Sequence, residues 1–125
     1  MYVWHYSENE LVKIADICGT GHENTNAFIH VRQEKNKSAE AILWLYENNF
    51  EKYAQYNVSV KFDSVTFNRT CTYKVNNDTL GVLYINNPYK VIKQMTKNET
   101  FDIALKNRDK VIDTFHYNSE SLTNF

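Results

Sequence analysis

A chain of 125 residues and 14.8 kDa has room for a single domain, taken here as 1–125. Its 42% hydrophobic and 14% aromatic content exclude a wholly disordered chain, and three Gly with one Pro exclude a collagen-like or linker architecture. Fourteen Lys and Arg against fifteen Asp and Glu leave −1, so no charge excess draws the chain to nucleic acid or to a membrane surface.

The opening Met1–Tyr6 has no basic stretch leading into an apolar one, and no apolar run approaches the ~20 residues that cross a bilayer. The expectation is therefore no membrane insertion. The location would be cytoplasmic if the chain is complete and periplasmic if a leader has been removed. Oligomeric state is not legible.

In chain order, residues 8 to 18 have two readings. Ser7-Glu8-Asn9-Glu10 has capping-box spacing, and Leu11, Ile14, Ala15 and Cys18 share one helical face with Gly19 as terminator. The same stretch is rich in β-branched residues and also reads as a strand. Phe28 to Arg32 is a weaker strand. Ala41 to Tyr46 is apolar on both faces, as a central strand of a packed sandwich would be. Glu47 to Gln55 reads as an aromatic-bearing connection. The clearest strand is Tyr56 to Asp63, where Tyr56, Val58, Val60 and Phe62 alternate with polar residues.

Thr70 to Val75 is a weaker strand, Asn76-Asn77-Asp78 a hairpin connection, and Thr79 to Ile85 a second run apolar on both faces. Asn87 suits an N-cap and Pro88 a first helical position, so the Val91, Ile92, Met95 stripe predicts a short helix over about 88–97. Phe101, Ile103 and Leu105 then alternate against Asp102 and Lys106, Asn107-Arg108-Asp109 turns, and Lys110 to Tyr117 returns as a weaker strand. Ser119 to Phe125 either starts a short helix or frays. Strands at roughly ten-residue spacing with one capped helix predict a mainly β, single-domain antiparallel β-sandwich.

The order of Trp4-His5-Tyr6-Ser7, Ile29-His30-Val31-Arg32, Ile42-Leu43-Trp44-Leu45, Val58 to Asp63, Val82-Leu83-Tyr84-Ile85-Asn86, the helix from Pro88, Phe101 to Leu105 and Val111 to Tyr117 resembles a known pattern. It is that of small bacterial envelope and phage-encoded β-sandwich proteins related to the type VI secretion accessory TagO/VasI family. The resemblance implies a sandwich and a strand across residues 8 to 18, which is the reading preferred here. The chain departs from the pattern in lacking cysteines between Glu47 and Tyr56, in Lys61 where the family has Arg, and in its short C-terminal extension.

Chemistry-bearing motifs are sparse. Cys18 and His22 stand four residues apart with His30 nearby, but structural zinc takes four ligands in paired short spacings, and no second pair is present. No Gly-x-Ser-x-Gly, His-Glu-x-x-His or phosphate loop occurs. No catalytic, metal or cofactor residue is assigned, and Cys18 and Cys71 are expected to be unpaired. Tyr46, Phe50, Tyr53 and Tyr56 flank an Asn-rich stretch and are candidate partner-binding anchors. The reading is a non-enzymatic protein-binding module, as an envelope accessory protein or a small phage-encoded inhibitor, with a protein partner and no nucleic acid. The alternatives are a small hydrolase or metal-dependent enzyme using His22 or His30, and a carbohydrate-binding sandwich.

Overall fold

A computed structural model describes residues 3–22, 25–45, 55–77, 80–118 and 120–125. The elements are β1 (His5–Glu8), β2 (Val12–Thr20), β3 (Asn26–Glu34), β4 (Glu40–Leu45), β5 (Tyr56–Lys61), β6 (Thr66–Asn77), β7 (Leu80–Ile85), α1 (Tyr89–Met95), β8 (Thr100–Asn107) and β9 (Lys110–Asn118).

The nine strands among the described residues form one antiparallel sheet in the order β1-β2-β3-β4-β7-β6-β5-β8-β9, and β9 pairs back onto β2. The sheet therefore closes into an eight-stranded barrel from β2 to β9, and the predicted sandwich is overturned. β1 is a ninth strand lying along the half of β2 that β9 does not reach, with His5 opposite Asp16 and Glu8 opposite Lys13. Closure removes most of the open edge that a flat sheet of this size would present.

Alternation drives this arrangement. Ala15 and Ile17, Ala27, Ile29 and Val31, Ala41 and Leu43, Val58 and Val60, and Ile103 and Leu105 are each at most 2% exposed and fill the interior. In register, Ile17 faces Ile29, Ile29 faces Leu43, Leu43 faces Leu83 and Leu83 faces Tyr73, one continuous belt across five strands. The end of the barrel where β7 leaves and β8 enters is covered by α1, whose Val91, Ile92 and Met95 are buried. Trp4 and Leu122 join the same core, and the Leu122 N–H donates to the Met95 carbonyl at 3.0 Å.

One local expectation, the cap of the helix, is corrected, and two open readings are decided, the first in favour of the preferred strand. Residues 12–20 are strand, because the Asn9 side chain accepts the Leu11 and Val12 N–H groups at 2.8 and 3.0 Å and makes a turn between β1 and β2 rather than a helix cap. Pro88, not Asn87, caps α1, which ends at Met95. Asn87 takes φ 56°, a left-handed conformation that asparagine tolerates. Residues 120–125 carry no helix; the tail is pinned instead by its Thr123 N–H donating to the Tyr6 hydroxyl at 3.1 Å.

Closure rests on a narrow seam. Thr20 and His116 are register partners, and beside them the Asp113 carboxylate accepts the His22 N–H at 2.9 Å and the Thr25 hydroxyl at 2.6 Å. It also accepts the Thr114 N–H at 2.7 Å. Hydrogen bonds to a charged acceptor are worth roughly 1.5–3 kcal/mol each in partly dry settings, less where water competes. Asp113→Ala is accordingly expected to lower stability by about 2 kcal/mol in urea denaturation. A loss below about 0.5 kcal/mol, the range of ordinary surface substitutions, would show that Asp113 does not hold the seam.

Candidate functional site

Of the four predicted anchors, one falls among the described residues. Tyr46, Phe50 and Tyr53 lie outside the described residues, and Tyr56 is 5% exposed, its ring 6.3 Å from that of Tyr73 inside the barrel. The groups that sequence reading considered for metal or nucleophilic chemistry are dispersed. Cys18 and Cys71 are free thiols; burial pushes both up, Cys71 to about 12, so each stays protonated at neutral pH. The His22 N–H serves the seam, and the Asp102 carboxylate meets His116 Nδ1 at 2.7 Å on the outer surface of β8 and β9. Among the described residues, no cluster of three or more His, Cys, Asp or Glu is placed to hold a metal ion.

The structure concentrates its unusual chemistry on the outer face of β2, β3, β4, β7 and β6. Residues on this face alternate with the core set, and strand register sorts them into three rows. One row runs Ser7, Ile14, Arg32, Glu40. The next runs Asp16, His30, Ile42, Tyr84, Thr72, and the third Cys18, Phe28, Trp44, Val82, Lys74. A barrel exterior facing water ordinarily carries polar residues at such positions. Here Ile42 and Val82 are 5% and 4% exposed although they point away from the core, because the side chains around them close over them.

The covering side chains form a groove of about 640 Å³, lined by Ile14, Asp16, His30, Arg32, Trp44, Lys74 and Tyr84 among others. The Trp44 and His30 rings stack at 4.2 Å between centroids and 29° between planes. The Lys74 ammonium sits 4.0 Å from the Tyr84 ring centroid, a cation–π contact. Among the described residues Lys74 has no carboxylate partner. Asp16 Oδ2 is 4.0 Å from His30 Nδ1. Burial lowers the His30 pKa, and the Asp16 charge offsets this only in part, so the ring is neutral at neutral pH.

Two donors in this groove meet no acceptor among the described residues. Both Arg32 Nε and Trp44 Nε1 are buried, and neither has a hydrogen-bond partner. The other side of the Arg32 guanidinium is engaged, since its Nη2 donates to Glu34 Oε1 at 3.0 Å, and Glu34 also holds Lys37 at 2.9 Å. A buried donor left unpaired costs roughly 1–3 kcal/mol, so two on one surface mark a place where an incoming acceptor recovers a standing penalty.

Sequence reading missed this surface, although its signal was present. The two-faced apolar runs Ala41 to Tyr46 and Thr79 to Ile85 were assigned to burial between two sheets. Among the described residues every strand belongs to one sheet, so Ile42, Trp44, Val82 and Tyr84 on the outer face of these runs meet no second sheet.

Compared with known proteins, the chain matches no family model, no curated protein and no solved structure, and nothing found there links it to the type VI secretion accessory family.

Proposed function

We propose that this protein is a non-enzymatic protein-binding module whose contact surface is the outer face of β2, β3, β4, β7 and β6. The observation that carries the reading is the pair of buried donors without acceptors, Arg32 Nε and Trp44 Nε1, in a groove floored by Ile14, Ile42 and Val82. Binding surfaces gain most of their energy from a few aromatic and Arg anchors set in an apolar patch, and Trp44, Tyr84 and Arg32 are such residues. A sugar-binding platform fits less well. One face of Trp44 carries His30 and one face of Tyr84 carries Lys74, so the rings offer edges and donors more than open stacking faces.

Selection from a displayed random-peptide library tests the reading. Enriched peptides are expected to bind the intact chain and to lose at least tenfold in affinity with Trp44→Ala or with Tyr84→Ser, circular dichroism remaining unchanged in at least one of the two. A loss of about 1.4 kcal/mol corresponds to that factor and lies within the range of anchor truncations. No enrichment over an unrelated protein, or enriched peptides indifferent to both substitutions, would sink the assignment.

A further inference from the structure

Resting on the protein-binding reading above, we infer that the groove takes an acidic peptide segment, with a carboxylate at Arg32 and Lys74 and a second acceptor on the Trp44 indole N–H. Both orphaned groups are donors, and neither an indole N–H nor a guanidinium N–H can accept, so the complementary atoms must be oxygens with free lone pairs. The fixed charges agree. Arg32 and Lys74 are cationic, Asp16 is the anionic residue among the groove-lining side chains, and it lies in the row of His30 at the β2 margin. Glu34, which does not line the groove, takes Nη2 of Arg32 and leaves Nε without an acceptor among the described residues.

The three rows place these groups across the sheet and not along one strand. Arg32 stands on β3 in the first row, while Trp44 on β4 and Lys74 on β6 share the third, with Ile42 and Tyr84 between them. An occupant must therefore span several strands, presenting acidic groups at both ends and an apolar group over Ile42 and Val82. Because side chains at i, i+2 and i+4 of an extended peptide share a face, a segment with acidic residues at positions 1 and 5 and an aliphatic residue at position 3 has that pattern. Its carboxylates would form charge-assisted hydrogen bonds of the kind that guanidinium and ammonium groups make best.

The chain contains its own reporter. Of its two tryptophans, Trp4 is buried in the core and Trp44 lies in the groove. Titration of the full chain with a blocked Glu-Ser-Leu-Ser-Glu pentapeptide, whose two acids and one leucine share a face when extended, should change tryptophan emission saturably. The isosteric Gln-Ser-Leu-Ser-Gln peptide should bind at least tenfold more weakly. Lys74→Gln should weaken the glutamate peptide about fivefold or more, Trp4→Phe should leave the response in place, and raising the salt from 50 to 500 mM should weaken binding further. Equal affinity for the two peptides, or no saturable change with either up to millimolar concentration, would overturn the acidic assignment. So would a response to a sulfated or carboxylated polysaccharide with none to the peptide. If library peptides still bind through Trp44 but are not acidic, this inference alone fails and the binding-module reading stands.

Discussion

Gly19→Ala is expected to destabilise the protein by about 3 kcal/mol, at the upper end of what overpacking a closed interior costs. Gly19 lies on β2 facing inward, and its φ is not in the left-handed region, so backbone freedom is not the reason for glycine there. The reason is approach. A methyl group at this position would stand 2.5 Å from Cε1 and 2.8 Å from Cε2 of Tyr117, inside any tolerable contact. Tyr117 cannot retreat easily. It is 1% exposed, its ring stacks on Phe101 at 4.8 Å, and its hydroxyl donates to the Ala27 carbonyl at 3.0 Å. The clash falls beside the Thr20–His116 pairing that closes the barrel, so relieving it by moving β2 away from β9 would open the seam. Chemical denaturation of Gly19→Ala in the native and Tyr117→Leu backgrounds checks the cause. The alanine should cost markedly less in the Tyr117→Leu background, where no ring is left to meet it. An equal cost in both backgrounds would reject close approach as the explanation.

Leu43→Ala is expected to cost about 3–4 kcal/mol, because the lost transfer energy adds to a cavity that the surrounding strands cannot collapse. Leu43 has no exposed surface and sits in the middle of the belt Ile17, Ile29, Leu43, Leu83, Tyr73. Its neighbours are held on both sides by continuous ladders, which limits inward relaxation. Ile112→Ala supplies the contrast: Ile112 is 51% exposed on β9, and its truncation should stay within about 0.5 kcal/mol. The comparison reads directly from the urea midpoints of the two variants. A Leu43→Ala loss below about 1 kcal/mol would mean that the barrel interior is not close-packed at its centre.

Strand identity was legible wherever one face of a strand meets the core and the other meets water. Tyr56 to Asp63 and Phe101 to Leu105 alternate by residue, and their buried sets are Tyr56, Val58, Val60, Phe62 and Phe101, Ile103, Leu105. The helix was legible from Pro88 and the Val91, Ile92, Met95 stripe, to within a few residues at each end. The stretch before Val12 was ambiguous because Asn and Glu serve a helix cap and a hairpin turn equally well, and only the pairing of β1 with β2 selects the turn. The binding surface was the least legible part. The sequence reading placed it on Tyr46, Phe50, Tyr53 and Tyr56, aromatic residues around a connection, whereas the proposed groove is assembled from side chains on five strands.

By itself, then, the sequence determined that this is one mainly β domain with a short helix near its C-terminal third, since period-two and helical patterns are local and survive any packing. Where apolar and polar residues alternate, as from Tyr56 to Asp63, it also determined which residues face inward, because alternation commits them before strand partners are chosen. Tertiary structure alone decided whether the strands stack as two sheets or close as one. That choice turns on a single long-range pairing, Thr20 with His116, made possible where Gly19 and Gly21 let Tyr117 and Asp113 come close. No local pattern encodes such a pairing. Closure in turn decided the fate of the second apolar face on β4 and β7. Among the described residues no opposing sheet covers it, and that face forms a groove on the outside of the barrel where the buried Arg32 and Trp44 donors meet no acceptor.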